Sequence, residues 1–210
     1  MGWAEQAEAA IERYRGGETR EPDQRQLTQL GNAAWAAGLS LLMDGRRDEA
    51  ADWLRTAAGR YRESWEDAPP DSWGRPIAAM KALLLAGDDA SDAARWAIDA
   101  GAGDAESPIG RYAGALALLV LGEDVDARVL GTTLRDREDF PQAVADAIVT
   151  VAAADRVGYT LAIENVLESF EKRADFLEDV RVADTVLVLQ LLAAKRDAAV
   201  ELPQTELLPS

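Results

Sequence analysis

The residues best suited to chemistry in this chain are its grouped carboxylates. Asp88-Asp89, Glu123-Asp124 with Asp126, Asp136 with Glu138-Asp139, and Glu178-Asp179 each set two or more acids within a few positions. Such groups could ligate Mg²⁺ or Ca²⁺, or divide acid and base roles between them. None has the alternating spacing of a calcium loop, and a helical di-iron site needs Glu-x-x-His. The chain has no His and no Cys. That removes imidazole bases, Ser-His-Asp triads, thiol nucleophiles, Cys/His zinc sites and disulfides. Acidic runs are most simply solvated faces, and acids in a helix's first turn suit its dipole. The expectation is a protein with no catalytic, metal-binding or cofactor-binding residues. An enzyme using a carboxylate pair and a divalent metal is the alternative.

Binding chemistry is better represented. Six tryptophans are present: Trp3, Trp35, Trp53, Trp65, Trp73 and Trp96. Trp and Tyr anchor many interfaces, so Trp35, Tyr61, Trp65 and Trp73 form the candidate partner-binding surface. Trp53 lies on an apolar stripe and is assigned to the core. Arg60, Arg62, Arg111 and Arg173 could hold an anion, but among 38 acidic residues they most simply form ion pairs. Gly16-Gly17 sits in a polar linker with no strand before it, so it is no phosphate loop.

The bulk composition bounds the partners. At 210 residues and 48% apolar, the chain can bury a continuous core, and a single domain is expected. Lys and Arg number 22 against 38 Asp and Glu, a net charge of −16. Such a surface repels nucleic-acid backbones and anionic membranes, although it could mimic a nucleic acid in a basic groove. Only Lys81, Lys172 and Lys195 are lysines. Acid-rich, lysine-poor composition suggests adaptation to high salt, where screening relieves self-repulsion. Met1-Gly2-Trp3-Ala4-Glu5 begins neither a basic nor an apolar leader, and no apolar run reaches the ~20 residues of a membrane span. A soluble, cytoplasmic protein is expected.

The elements that must position these residues are helices. Leucines and alanines at steps of three and four predict helices over Gln26–Asp44 and Arg47–Trp65, joined by Gly45-Arg46 as an antiparallel pair. Trp73–Ala86 follows the break at Pro69-Pro70, then Ala93–Ala100, with Ser91 or Asp92 as its cap. Ser107-Pro108 starts a helix that stops at Gly122. Val125–Leu134, a helix opened by Asp139-Phe140-Pro141, Tyr159–Lys172 and Val182–Lys195 complete the series. The last is apolar nearly all round, which predicts the most buried helix and a surface through which two copies could pair. Residues 1–25 read as an N-terminal helix and linker, 26–200 as stacked helix pairs, and 201–210 as a loose tail.

A signature recurs in this series. Leu41-Leu42-Met43-Asp44-Gly45 precedes Ala50, Leu83-Leu84-Leu85-Ala86-Gly87 precedes Ala93, and Leu118-Leu119-Val120-Leu121-Gly122 precedes Ala127. Each is a leucine-rich helix end, a glycine able to take positive φ, and a small residue where the next helix must pass close by. Over Gly31–Glu63, the positions of Gly38, Gly45, Ala50, Leu54 and Ala57 resemble the tetratricopeptide repeat. The resemblance implies an all-α stack of helical hairpins, a right-handed superhelix of nine to ten helices that binds protein partners. The C-terminal run from Glu171-Lys172-Arg173 through Val182-Ala183-Asp184-Thr185 to Leu207-Leu208-Pro209 is similar to the ending of Imm49-like bacterial immunity proteins. That resemblance implies a binder that neutralises a toxin. The functional expectation is a non-enzymatic protein-protein interaction module.

Overall fold

The computed structural model describes residues 2–209, and all regular structure among them is helical. In chain order the helices are α1 (Trp3–Gly17), α2 (Gln24–Met43), α3 (Arg47–Glu63), α4 (Gly74–Leu85), α5 (Ser91–Asp99), α6 (Pro108–Leu121), α7 (Asp124–Arg135), α8 (Gln142–Ala152), α9 (Arg156–Glu171) and α10 (Asp184–Ala194). Short 3-10 turns lie at Ala102–Asp104 and Leu177–Asp179. The chain forms two compact units. The first holds the residues up to Asp89, Arg173–Asp184 and those from Gln204 onward; the second holds Ala90–Lys172 and Thr185–Pro203.

In the first unit, α2 packs between α1 and α3, and α4 packs on α3. A capping box starts α2: Gln26 N–H donates to Asp23 Oδ1 at 2.8 Å, and Asp23 N–H donates to Gln26 Oε1 at 2.9 Å. From Leu30 to Leu42 almost every residue of α2 is buried, including Trp35, Leu39 and Leu41. Glycine lets α3 approach this closely. A Cβ at Gly38 would stand 2.7 Å from Leu54 Cγ, and one at Gly31 would stand 2.9 Å from the Tyr61 ring. Helix α2 is flanked on both sides; α10, expected to be the most buried helix, leaves Leu191 exposed.

In the second unit α5, α6, α7, α8 and α9 pack each on the next. Ser107 caps α6 by accepting from Gly110 N–H at 3.2 Å, with Pro108 at the first helical position as expected. The cap of α5 differs from expectation. Ala90 occupies it, and Ser91 is already helical.

The glycine turns share one geometry. Gly45, Gly87 and Gly122 have φ of 79°, 79° and 77°. Gly45 and Arg46 donate to Leu42 and Leu41 at 3.2 and 3.0 Å, Gly87 and Asp88 to Leu84 and Leu83 at 3.1 and 2.9 Å, and Gly122 and Glu123 to Leu119 and Leu118 at 3.3 and 2.9 Å. These crossed bonds are Schellman motifs, which satisfy the last carbonyls of each helix. The first and third turns each join two helices that pack together, whereas α4 and α5, flanking Gly87, belong to different units.

A fourth copy was hidden. Between α8 and α9, Ala154 stands at φ 50° and makes the same pair of bonds, to Val151 at 3.0 Å and from Asp155 to Thr150 at 2.9 Å. With alanine in the glycine's place, the turn carries no sequence signature, and α9 begins three residues before the expected Tyr159.

The tail carries a turn at Glu206-Leu207 and is anchored there. Leu207 is buried, and its carbonyl accepts from Ala183 N–H at 2.9 Å.

Candidate functional site

The four aromatic residues expected at a partner surface are mostly interior. Trp35 and Tyr61 are buried between α2 and its neighbours. The Tyr61 hydroxyl donates to Asn32 Oδ1 at 2.9 Å, and burial raises its pKa, with Glu178 and Asp184 acting in the same direction. Trp73 is buried and donates through Nε1 to Asp71 Oδ1 at 2.9 Å. Only Trp65 is half-buried, its ring tilted 46° to that of Trp73 at 5.8 Å. Helix packing covers Trp35 and Tyr61, and Trp65 and Trp73 pack on each other, so the four rings do not line an open groove. Trp53, assigned to the core, is instead half-buried: it meets Tyr14 edge-on at 5.2 Å. That contact, with Arg60 Nε donating to Tyr14 Oη at 3.0 Å, fastens α1 onto α3.

The carboxylate groups are each tied to arginine. Arg55 grips Asp88 through Nε and Nη2 at 2.7 and 3.0 Å, and this holds the Asp88 carboxyl below its usual pKa. Arg137 does the same to Asp139, with two bonds of 2.7 Å. Glu178 lies 3.4 Å from Arg13. Asp124 pairs with Arg196, which reaches further: its Nη1 donates to Leu192 O at 2.9 Å and its Nη2 to Leu119 O at 2.8 Å. Arg196 thereby caps the end of α6 from the turn that follows α10. Among the described residues, no group of three or more acids converges where it could hold a metal ion.

Of the four arginines considered as anion binders, Arg60 pairs with Glu63 at 2.8 Å, and Arg111 donates to Ala105 O at 3.0 Å. Arg62 and Arg173 are exposed. Among the described residues no helix is long and apolar enough to cross a membrane. In the first unit, a cavity of about 590 Å³ is lined by Trp3, Met43, Leu207 and Leu208 together with Arg181 and Glu206.

The second unit presents a feature unrelated to the aromatic residues. Val125 and Val129 on α7 are 69% and 60% exposed, and Val157 and Leu161 on α9 are 84% and 64% exposed. Both pairs sit at the third and seventh positions after a left-handed turn residue, Gly122 in one case and Ala154 in the other. The same register after Gly45 holds Asp48 and Asp52, both exposed. After Gly87 the same places hold Ala90 and Ala94, both buried, whereas α7 and α9 carry exposed aliphatic side chains there.

Their buried faces explain the orientation. Ala127, Gly131 and Leu134 turn α7 toward α8, where a Cβ on Gly131 would stand 2.9 Å from Ile148 Cγ2. Tyr159, Ile163 and Val166 turn α9 inward. Because α8 runs back between them, the first turns of α7 and α9 lie at the same end of the unit. These four side chains, two on α7 and two on α9 with α8 packed against both helices, are named the ridge. A sequence signal existed for it: valine where the first hairpin has aspartate. Without Gly at position 154, the second half of the match was invisible.

No family model, curated protein or solved structure matches the chain.

Proposed function

We propose that this protein is a non-enzymatic interaction module, built of tetratricopeptide-like helical hairpins, that binds another protein through the ridge of its second unit. The carrying observation is the ridge itself: four large aliphatic side chains, each more than half exposed, repeated in register on two helices whose other faces are packed. Scattered exposed apolar residues are ordinary, but a repeated set in one register suits an interface. The Schellman turns and the Gly38–Leu54 approach support the repeat-like design.

The test is co-purification with the quadruple variant V125D/V129D/V157D/L161D, which copies onto α7 and α9 the acidic pattern of Asp48 and Asp52. An unchanged circular dichroism spectrum establishes that the variant folds. Loss of the proteins that co-purify with the wild type is the expected result. Retention of the same set by the folded variant refutes the reading.

A further inference from the structure

Resting on that reading, we infer that the ridge receives a cationic segment with an apolar face, and not a second copy of this chain. Charge around the ridge selects the occupant. Glu123 and Asp126 border Val125, and Asp155 precedes Val157; all three are exposed. On α9 the stripe begun by Val157 and Leu161 continues along the same face into exposed Glu164 and Glu168, one and two turns further on. Arg128 and Arg156 are exposed beside it and Lys172 pairs with Glu168 at 2.6 Å, so five acids face three bases at its margin.

A second copy would bring the same acids and a net charge of −16 against −16. At contact distance, physiological salt screens little of that repulsion, because the Debye length is about 8 Å. A basic partner turns the same margin into attraction, which speeds encounter and selects against acidic competitors. The spacing also has a natural occupant. The two residues of each pair stand one helical turn apart, the spacing at which a helix offers its own anchors at i and i+3 or i+4, here ringed by Lys or Arg.

The experiment uses the full chain and three synthetic peptides. One is a helix with a leucine stripe and a Lys/Arg polar face; one has the same stripe with a Glu face; one is the Lys/Arg peptide with its order scrambled so that no stripe remains. Each is titrated against the wild type and against V129S/L161S, which removes apolar surface without adding charge. In parallel, sedimentation measures whether the wild type self-associates.

The expected result is that the striped basic peptide binds the wild type and loses about tenfold or more in affinity for V129S/L161S, as burying two aliphatic groups predicts. The scrambled peptide should not distinguish the two proteins. Equal binding of the striped basic peptide to both proteins overturns the inference, as does equal binding of the Glu-faced peptide, or no binding at all. A wild-type dimer abolished by V129S/L161S overturns it too: the ridge would then be an interface, but for a second copy. The broader interaction reading survives that last outcome and falls on the co-purification result.

Discussion

Lys81 Nζ lies 2.8 Å from Asp184 Oδ2, although the two residues are 103 positions apart in sequence. Lys81 is on α4, and Asp184 is the first residue of α10. The pair ties the segment 173–184 back to the first unit, and both side chains are largely shielded from water. Breaking such a pair from one side leaves the other charge poorly solvated. Lys81→Met is therefore expected to lower unfolding free energy by about 2–4 kcal/mol in urea titration. Lys81→Met combined with Asp184→Leu should recover much of the loss, because the stranded charge is gone. A double variant no more stable than the single one contradicts this account.

Arg196 is expected to be irreplaceable by lysine. Its guanidinium serves two carbonyls and a carboxylate at once, a fork that an ammonium cannot reproduce. Arg196→Lys should cost about 1–3 kcal/mol and speed amide exchange around the α6–α7 turn. Exchange that rises equally throughout both units would argue against a local cap.

The left-handed turns give a prediction of opposite signs. Gly122 and Ala154 occupy equivalent places, and only glycine takes positive φ without strain. Ala154→Gly should raise stability by about 0.5–1 kcal/mol, and Gly122→Ala should lower it by about 1 kcal/mol. A Cβ at Gly122 would meet nothing within 4 Å, so its cost is backbone strain alone. Thermal melts of the two variants moving in the same direction would contradict the assignment.

Tyr159 is fully buried on α9, and its hydroxyl has no hydrogen-bond partner among the described residues. Burial also raises its pKa. An unpaired buried hydroxyl costs free energy that phenylalanine avoids. Tyr159→Phe should be neutral or stabilising by up to about 1 kcal/mol. A clear loss of stability would reveal a partner for the hydroxyl.

With no histidine, no side chain has its ordinary pKa between pH 5 and 8, so stability should be nearly flat from about pH 6 to 8. The acid limb has a defined sign. Asp88 and Asp139 are held below the ordinary carboxylate pKa by Arg55 and Arg137. Their stabilisation is complete above the unfolded value of about 4 and is lost as pH falls through the lower folded values. Melting temperatures should therefore drop below about pH 4, and Asp88→Asn should lessen that drop. Added KCl near neutral pH should raise the melting temperature by screening the net charge of −16. A midpoint that falls with KCl would remove the case for salt adaptation.

Much of the architecture was legible because helix signals are local. Ser107-Pro108, the glycines at 45, 87 and 122, and the apolar periodicity located most helices to within a few residues. The Ala154 turn and the Ala90 cap escaped because their residues lack the chemistry that such positions favour, and packing imposed the geometry. The candidate surface was less legible. An apolar periodicity shows that Trp35, Tyr61 and Trp73 lie on helix faces or turns, but not how many neighbours cover them.

Composition and spacing alone determined an all-helical chain with recurring glycine turns, no histidine or cysteine chemistry, and a strongly acidic character. Those properties depend on residue types and on neighbours within a few positions. Only the tertiary structure decided that most of the candidate aromatics are interior, that Lys81 meets Asp184, that Arg196 caps α6, and that Val125, Val129, Val157 and Leu161 face outward. These depend on which helix faces are covered by which neighbours, and coverage is set by contacts between residues tens of positions apart.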